Sequence, residues 1–98
     1  MISQKRIPTH PGEILLEEFL TPWHISQADF ARHTGMPSQR INEIIRGKRG
    51  ISPDTAWILS QAFNTSPEFW MTLQMNYDLA MTKSTKKIAA LKRAALSS

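Results

Sequence analysis

The sequence predicts an all-α domain, and three observations carry that prediction. Residues 26–50, SQADFARHTGMPSQRINEIIRGKRG, read as two short helices joined at a glycine. Ser52-Pro53-Asp54 and Ser66-Pro67-Glu68 are two further helix openings of the same kind: a capping serine, a first-turn proline and an acid that complements the helix dipole. No stretch alternates apolar and polar residues in the way a half-buried strand requires. With 98 residues the chain suits one domain with a modest core, and 41% hydrophobic residues place it outside the disordered class.

The elements follow in order. Residues 1–9 form an N-terminal arm, and residues 10–82 the domain. Its first helix starts near His10 or Pro11 and ends at Thr21-Pro22, with Glu13, Glu17 and Glu18 toward its start. Ile14, Leu15 and Phe19 make the core face, and Leu16 and Leu20 lie at the boundary with the polar face. Trp23 and Ile25 pack under the following turn. Ser26 and Asp29 form a capping box for the next helix, in which Phe30, Ala31 and the methyl of Thr34 face inward. Gly35 stands where a helix end wants a left-handed residue. Pro37 suits the first turn of the helix after it, whose Ile41, Ile44 and Ile45 share an apolar face. The fourth helix runs to about Phe63 over Ala56, Leu59, Ala62 and Phe63, and ends at Asn64. The fifth buries Phe69, Trp70, Leu73 and Tyr77 and continues toward Met81. Residues 83–98 form a basic tail, helical over 85–96, with Ile88, Leu91 and Ala95 on one side.

The spacing of Ala31, Gly35, Ile41 and Ile44 fits a helix-turn-helix: a small residue where the helices touch, a glycine at the turn, and branched residues locking the second helix down. The plainer reading is a helical hairpin whose Gly35 is only a cap. The outward face favours nucleic acid. Ser38, Gln39, Arg40, Asn42, Glu43 and Arg46 can donate to or accept from base edges, where a solvated hairpin tends toward Glu/Lys pairs. The Gly47-Lys48-Arg49-Gly50 turn adds basic groups able to hold a phosphate backbone.

Charge distribution agrees. The net charge is +4, but the five bases and no acids after residue 82 supply more than all of it. Residues 26–50 hold five bases against two acids, and the first helix is acidic. That asymmetry suits a polyanion on one surface and a basic partner on another. No apolar run approaches the ~18 residues of a membrane span, and MISQKRIPTH has no signal-peptide core, so no membrane is expected. The absence of cysteine fits a reducing cytoplasm. His10, His24 and His33 lack metal-ligand spacing, no acid–base pair accompanies a nucleophile, and no phosphate-binding glycine loop occurs. No enzyme, metal or cofactor is expected.

Three segments carry a family resemblance: HPGEILLEEFL, SQADFARHTGMPSQRINEIIRGKRGIS and SPEFWMTLQMNYDL. Over about residues 8–80 the chain resembles the HigA-type, or VapI-like, antitoxins of the Cro/XRE helix-turn-helix repressors. The resemblance implies a five-helix lambda-repressor-like domain, here with a C-terminal helical extension. It implies a homodimer on a palindromic double-stranded operator, autorepression, and neutralisation of a small basic HigB/RelE-type toxin, an mRNA endoribonuclease. By matched position, Gln27 holds phosphate and supports the next helix. Ser38, Gln39 and Glu43 take base-reading positions, and Arg40, Lys48 and Arg49 hold base or backbone. A basic toxin would meet the acidic first helix, through Glu13, Glu17, Leu16 and Leu20. Two other functions share much of this reading: a repressor of the same fold without a toxin, and an interaction module that no longer binds DNA.

Overall fold

The computed structural model describes residues 8–82 and 86–92. Its helices are α1 (Pro11–Ile14), continued without a break by a π-helical stretch (Leu15–Leu20), then α2 (Gln27–Thr34), α3 (Ser38–Ile45), α4 (Pro53–Phe63) and α5 (Pro67–Met81). No strand occurs among the described residues, and none of their helices is long and apolar enough to cross a membrane.

His10 caps α1. Its Nδ1 accepts from the Gly12 N–H at 2.9 Å, and Pro11 takes the first position, where a missing N–H costs nothing. Gly12 is required by what lies above it. A Cβ there would come within 1.7 Å of the Ile44 carbonyl oxygen, so α1 begins with its backbone against the last turn of α3.

The π-helical stretch changes which leucines are inside. The Thr21 N–H donates to the Leu16 carbonyl, and Ile25 to Leu20, both at 2.9 Å and both five residues back. In an α-helix of 3.6 residues per turn, positions five apart diverge by roughly 140°. Under π-helical i→i+5 bonding they share a face, as positions four apart do in an α-helix. Leu15 and Leu20 therefore share the core face, each 1% exposed, whereas Ile14, Leu16 and Phe19 are half-buried. This corrects the placement of Leu20 at a polar boundary: it is core.

Helix α2 opens on Ser26, whose Oγ accepts from the Asp29 N–H at 3.0 Å. Only that half of the capping box forms, because the Asp29 carboxylate pairs with Arg32. At the other end, Gly35 adopts φ +81° and donates its N–H to Ala31 at 2.8 Å. Thr34 ties the turn with its hydroxyl, donating to the Phe30 carbonyl at 2.8 Å and accepting from the Met36 N–H at 3.2 Å. Pro37 sits one residue ahead of α3 with extended backbone, and its carbonyl accepts the Ile41 N–H at 3.2 Å. Ile41 and Ile44 are fully buried beneath.

The two Ser-Pro openings differ in detail. Ser66 caps α5, accepting from the Phe69 N–H at 3.1 Å. The Ser52 hydroxyl instead donates to the Asp54 carboxylate and makes no backbone cap. Helix α4 buries Ala56, Leu59 and Phe63 as expected, together with Thr55 and Ser60, while Ala62 is half-buried. Helix α5 reaches Met81 and buries Trp70, with the indole N–H donated to Thr65 Oγ1 at 2.8 Å. Its second fully enclosed residue is Gln74, while Leu73 and Tyr77 are half-buried and Phe69 is exposed. An aromatic cluster fills one end of the core. Phe63 stacks on Phe30 at 5.3 Å and packs against Phe19 at 4.7 Å and Trp23 at 5.2 Å. Burying such rings is the largest single source of stabilisation available to a domain of this size.

The expected helix over 85–96 is absent where the structure describes it. Residues 86–92 are non-helical and exposed, with Leu91 at 97%. A helix of about twelve residues is marginal alone, and this one has no apolar surface beneath it. The remainder of that expectation, at 85 and 93–96, lies outside the described residues, as does most of the 1–9 arm.

The cap at His10 gives the fold a pH dependence. Burial lowers the His10 pKa below 6.5, against the opposing pull of the Asp78 and Glu13 carboxylates. A folded pKa below the unfolded one means the unfolded chain binds the proton more readily. The contribution is therefore complete above about pH 6.5 and is lost as pH falls from there toward the folded value. Protonation also turns Nδ1 from acceptor to donor and breaks the cap. Urea-unfolding midpoints should fall between about pH 7 and pH 5, and the slope should flatten in His10→Asn, which keeps an acceptor without a titration. An equal slope in both chains would show that the cap is not the sensor.

Candidate nucleic-acid interface

Helix α3 presents one face to the core and the opposite one outward. Ile41 and Ile44 hold the inner face, and Ser38, Gln39 and Arg46 are exposed on the outer one, with Arg40, Asn42 and Glu43 half-buried. The turn that follows folds back along α3. Its Lys48 N–H donates to the Glu43 carbonyl at 2.8 Å, and Gly47 adopts φ +75°, which a side chain would resist. Lys48 and Arg49 are exposed beside the helix as a result.

The predicted residues are brought together, though not as independent contacts. Glu43 binds two of the others: Arg49 Nε donates to Oε1 at 2.9 Å and Gln39 Nε2 to Oε2 at 3.2 Å. These bonds, Arg49 before Gln39, hold the Glu43 carboxyl below the usual range. Asn42 Nδ2 donates to Gln27 Oε1 at 3.4 Å, which joins α2 to α3. Arg40 lies 3.6 Å from the Asp54 carboxylate at the start of α4. The Asp54 carboxyl is itself lowered, chiefly by the Ser52 hydroxyl and less by Arg40. Ser38, Arg46 and Lys48 have no side-chain partner among the hydrogen bonds and ion pairs of the described residues.

Sequence reasoning missed two supports. Asp54 was read only as a dipole complement; its place beside Arg40 depends on how α4 docks. Gln74 was given no role, yet its Oε1 accepts the Ile51 N–H at 2.6 Å and its Nε2 donates to Asp78 at 2.8 Å. This anchors the end of the basic turn, since a buried N–H left without a partner costs about 1–3 kcal/mol. A glutamine four residues after a core tryptophan was the available signal.

Chemically, the surface offers what a duplex groove needs. Carboxamide and hydroxyl groups sit on the exposed face of a helix narrow enough for the major groove, flanked by cations at phosphate reach. The acidic set is elsewhere, on the first helix. Glu13, Glu17 and Glu18 are exposed and Leu16 is half-buried, but Leu20 is enclosed in the core and offers no partner an apolar contact.

Comparison with known proteins places this arrangement. Residues 23–70, spanning α2 through the start of α5, match the helix-turn-helix family model. Virulence-associated protein I of Dichelobacter nodosus is 42% identical over 78 residues, covering 80% of this chain and 72% of the relative. Among solved structures, the Pseudomonas aeruginosa antitoxin HigA with the higBA promoter is 48% identical with a TM-score of 0.74, over 76% of this chain and 82% of that one. A Pseudomonas aeruginosa structure in complex with an 18 bp operator DNA is 42% identical with a TM-score of 0.79, over 86% and 97% of the two chains. With the helix-turn-helix geometry in place and relatives this similar over most of their length, the chain belongs to the HigA-type, VapI-like antitoxins of the Cro/XRE helix-turn-helix family, a family of DNA-binding proteins and not of enzymes.

Proposed function

We propose that this protein is a sequence-specific DNA-binding antitoxin that represses its own operon and neutralises a HigB/RelE-like mRNA endoribonuclease in the cytoplasm. The observation that carries the DNA half is the α3 face with its basic turn, in a chain 42% identical to a protein solved on its operator. Helix α3 enters the major groove, Gln39 and Arg40 read base edges, and Lys48 and Arg46 hold phosphates. For Arg40 this means exchanging the exposed Asp54 for DNA, a small loss for a solvent-screened pair.

One helix of eight residues reads few base pairs. Specific binding therefore calls for a homodimer on half-sites about one helical turn, ~34 Å, apart. The described surface supports the C-terminal half of α5 as the contact, because Met75, Leu79 and Met81 are each more than half exposed there. The toxin half is supported by family membership and by charge. A protein that binds mRNA needs a basic surface, and Glu13, Glu17 and Glu18 with Leu16 give the complementary one.

Two measurements test this reading. On a duplex of the operon's own promoter, Gln39→Ala should cost roughly 1–3 kcal/mol at one base pair and relax specificity there. Lys48→Ala should weaken all sequences alike and reduce the salt slope by about one. Unchanged affinity in a Gln39, Arg40 double alanine variant would remove the α3 face from the mechanism. Separately, the small basic product of the neighbouring gene should co-purify with this chain, and Glu17→Lys with Glu18→Lys should slow its association at low salt. Unaltered capture by a charge-reversed chain that still folds would move the toxin site off the first helix. Absence of any such partner would leave a repressor without a toxin.

A further inference from the structure

Glu43 is the one acid in α3, and it stands on the face expected to meet a polyanion. A carboxylate there repels phosphate, so its presence needs a reason. It can read a base directly by accepting from cytosine N4. The structure points elsewhere. Each of its oxygens already accepts one hydrogen bond, from Arg49 Nε at 2.9 Å and from Gln39 Nε2 at 3.2 Å. Its side chain is only 29% exposed, whereas that of Arg49 is 52% exposed. A cytosine N4–H would have to share an oxygen that already holds a side chain, on a carboxylate whose two bonds fix its orientation.

We infer that Glu43 is a positioning residue that fixes the specificity of Gln39 and restrains Arg49, and does not itself read a base. The inference rests on the DNA-reading role of α3. The chemistry of the carboxamide makes it specific. A glutamine recognises adenine by donating from Nε2 to N7 and accepting from N6–H on Oε1. Nε2 carries two hydrogens. Glu43 takes one, which leaves the second hydrogen and Oε1 for a base. Glu43 cannot accept from Oε1, so it holds the amide in one of its two flip states. Ordering the side chain before DNA arrives removes that entropy cost from the binding step. The same carboxylate offsets the Arg49 charge, while the terminal guanidinium nitrogens stay available for a phosphate. Non-specific attraction, which comes almost wholly from such charges, is thereby reduced.

A double-mutant cycle distinguishes the two roles. The probes are the operon's own promoter duplex, single-base-pair variants of it and a scrambled duplex, each titrated at several salt concentrations. Wild type should discriminate against replacement of the Gln39 base pair by about 5- to 150-fold. In Glu43→Ala that discrimination should fall at least about fivefold, while affinity for the scrambled duplex rises and its salt slope steepens by about one. In the Gln39→Ala background, Glu43→Ala should have no further effect on base preference. Glu43→Gln keeps an acceptor for the amide, loses the charge and adds an NH2 that can hold Gln39 Oε1 in the opposite flip state. It should recover only part of the adenine preference and leave the steeper slope in full, a split that a merely structural role would not produce. Loss of preference at a second base pair, or a Glu43→Ala effect that persists in full without Gln39, would show that Glu43 reads a base and would overturn the inference alone. Equal wild-type affinity for promoter and scrambled duplexes would instead overturn the DNA-reading role, and the inference with it. Thermal unfolding by circular dichroism confirms that each variant is folded, and Glu43→Gln carries the test if Glu43→Ala is not.

Discussion

The contact on which the rest depends is the crossing of α1 over the end of α3 at Gly12. Only a residue without a side chain lets the two backbones approach this closely, with the Ile44 carbonyl 1.7 Å from where a Cβ would lie. Several other features follow from that approach. His10 caps α1 next to the crossing, its ring packs edge-on against Tyr77 of α5 at 4.8 Å, and Gly47 lies beside the same ring. One point thus joins the first helix, the end of the reading helix, the basic turn and the last helix. Ile44, wedged beneath the crossing, is completely buried. The outward face of α3 is therefore set by a backbone contact within a close-packed core.

On that rigid base the surface charges are arranged in pairs. Glu43 meets Arg49, and Asp54 meets Arg40. Each pair is partly exposed and contributes little to stability. Their value lies in direction, since each acid sets where a cation points. Arg46 and Lys48 are exposed and form no ion pair among the described residues.

Much of this was legible in the sequence, for definite reasons. The α2–turn–α3 unit was readable because Phe30, Ile41 and Ile44 repeat at helical spacing around Gly35, and each lies where that spacing requires. The outer residues of α3 followed from the inner ones. Leu20 was misplaced because an α-helical period was assumed through a stretch that is π-helical, and no residue in it signals the change. Gln74 and Asp54 were opaque for another reason. Their roles come from contacts 23 residues away, to Ile51, and 14 away, to Arg40. The tail failed on energetics: alanine-rich propensity favours a helix, but without a packed face 86–92 stays non-helical.

The most direct measurement is a two-dimensional NMR titration of the isotope-labelled chain with its operon's promoter duplex. The account predicts that amide shifts concentrate on Gln27, on Ser38 through Arg46 and on the Gly47–Gly50 turn. The side-chain amide signals of Gln39 should move as well, and the outer surface of α4 around the exposed Trp57 should stay unchanged. Shifts centred on Trp57 or on the acidic first helix, with α3 unperturbed, would contradict it.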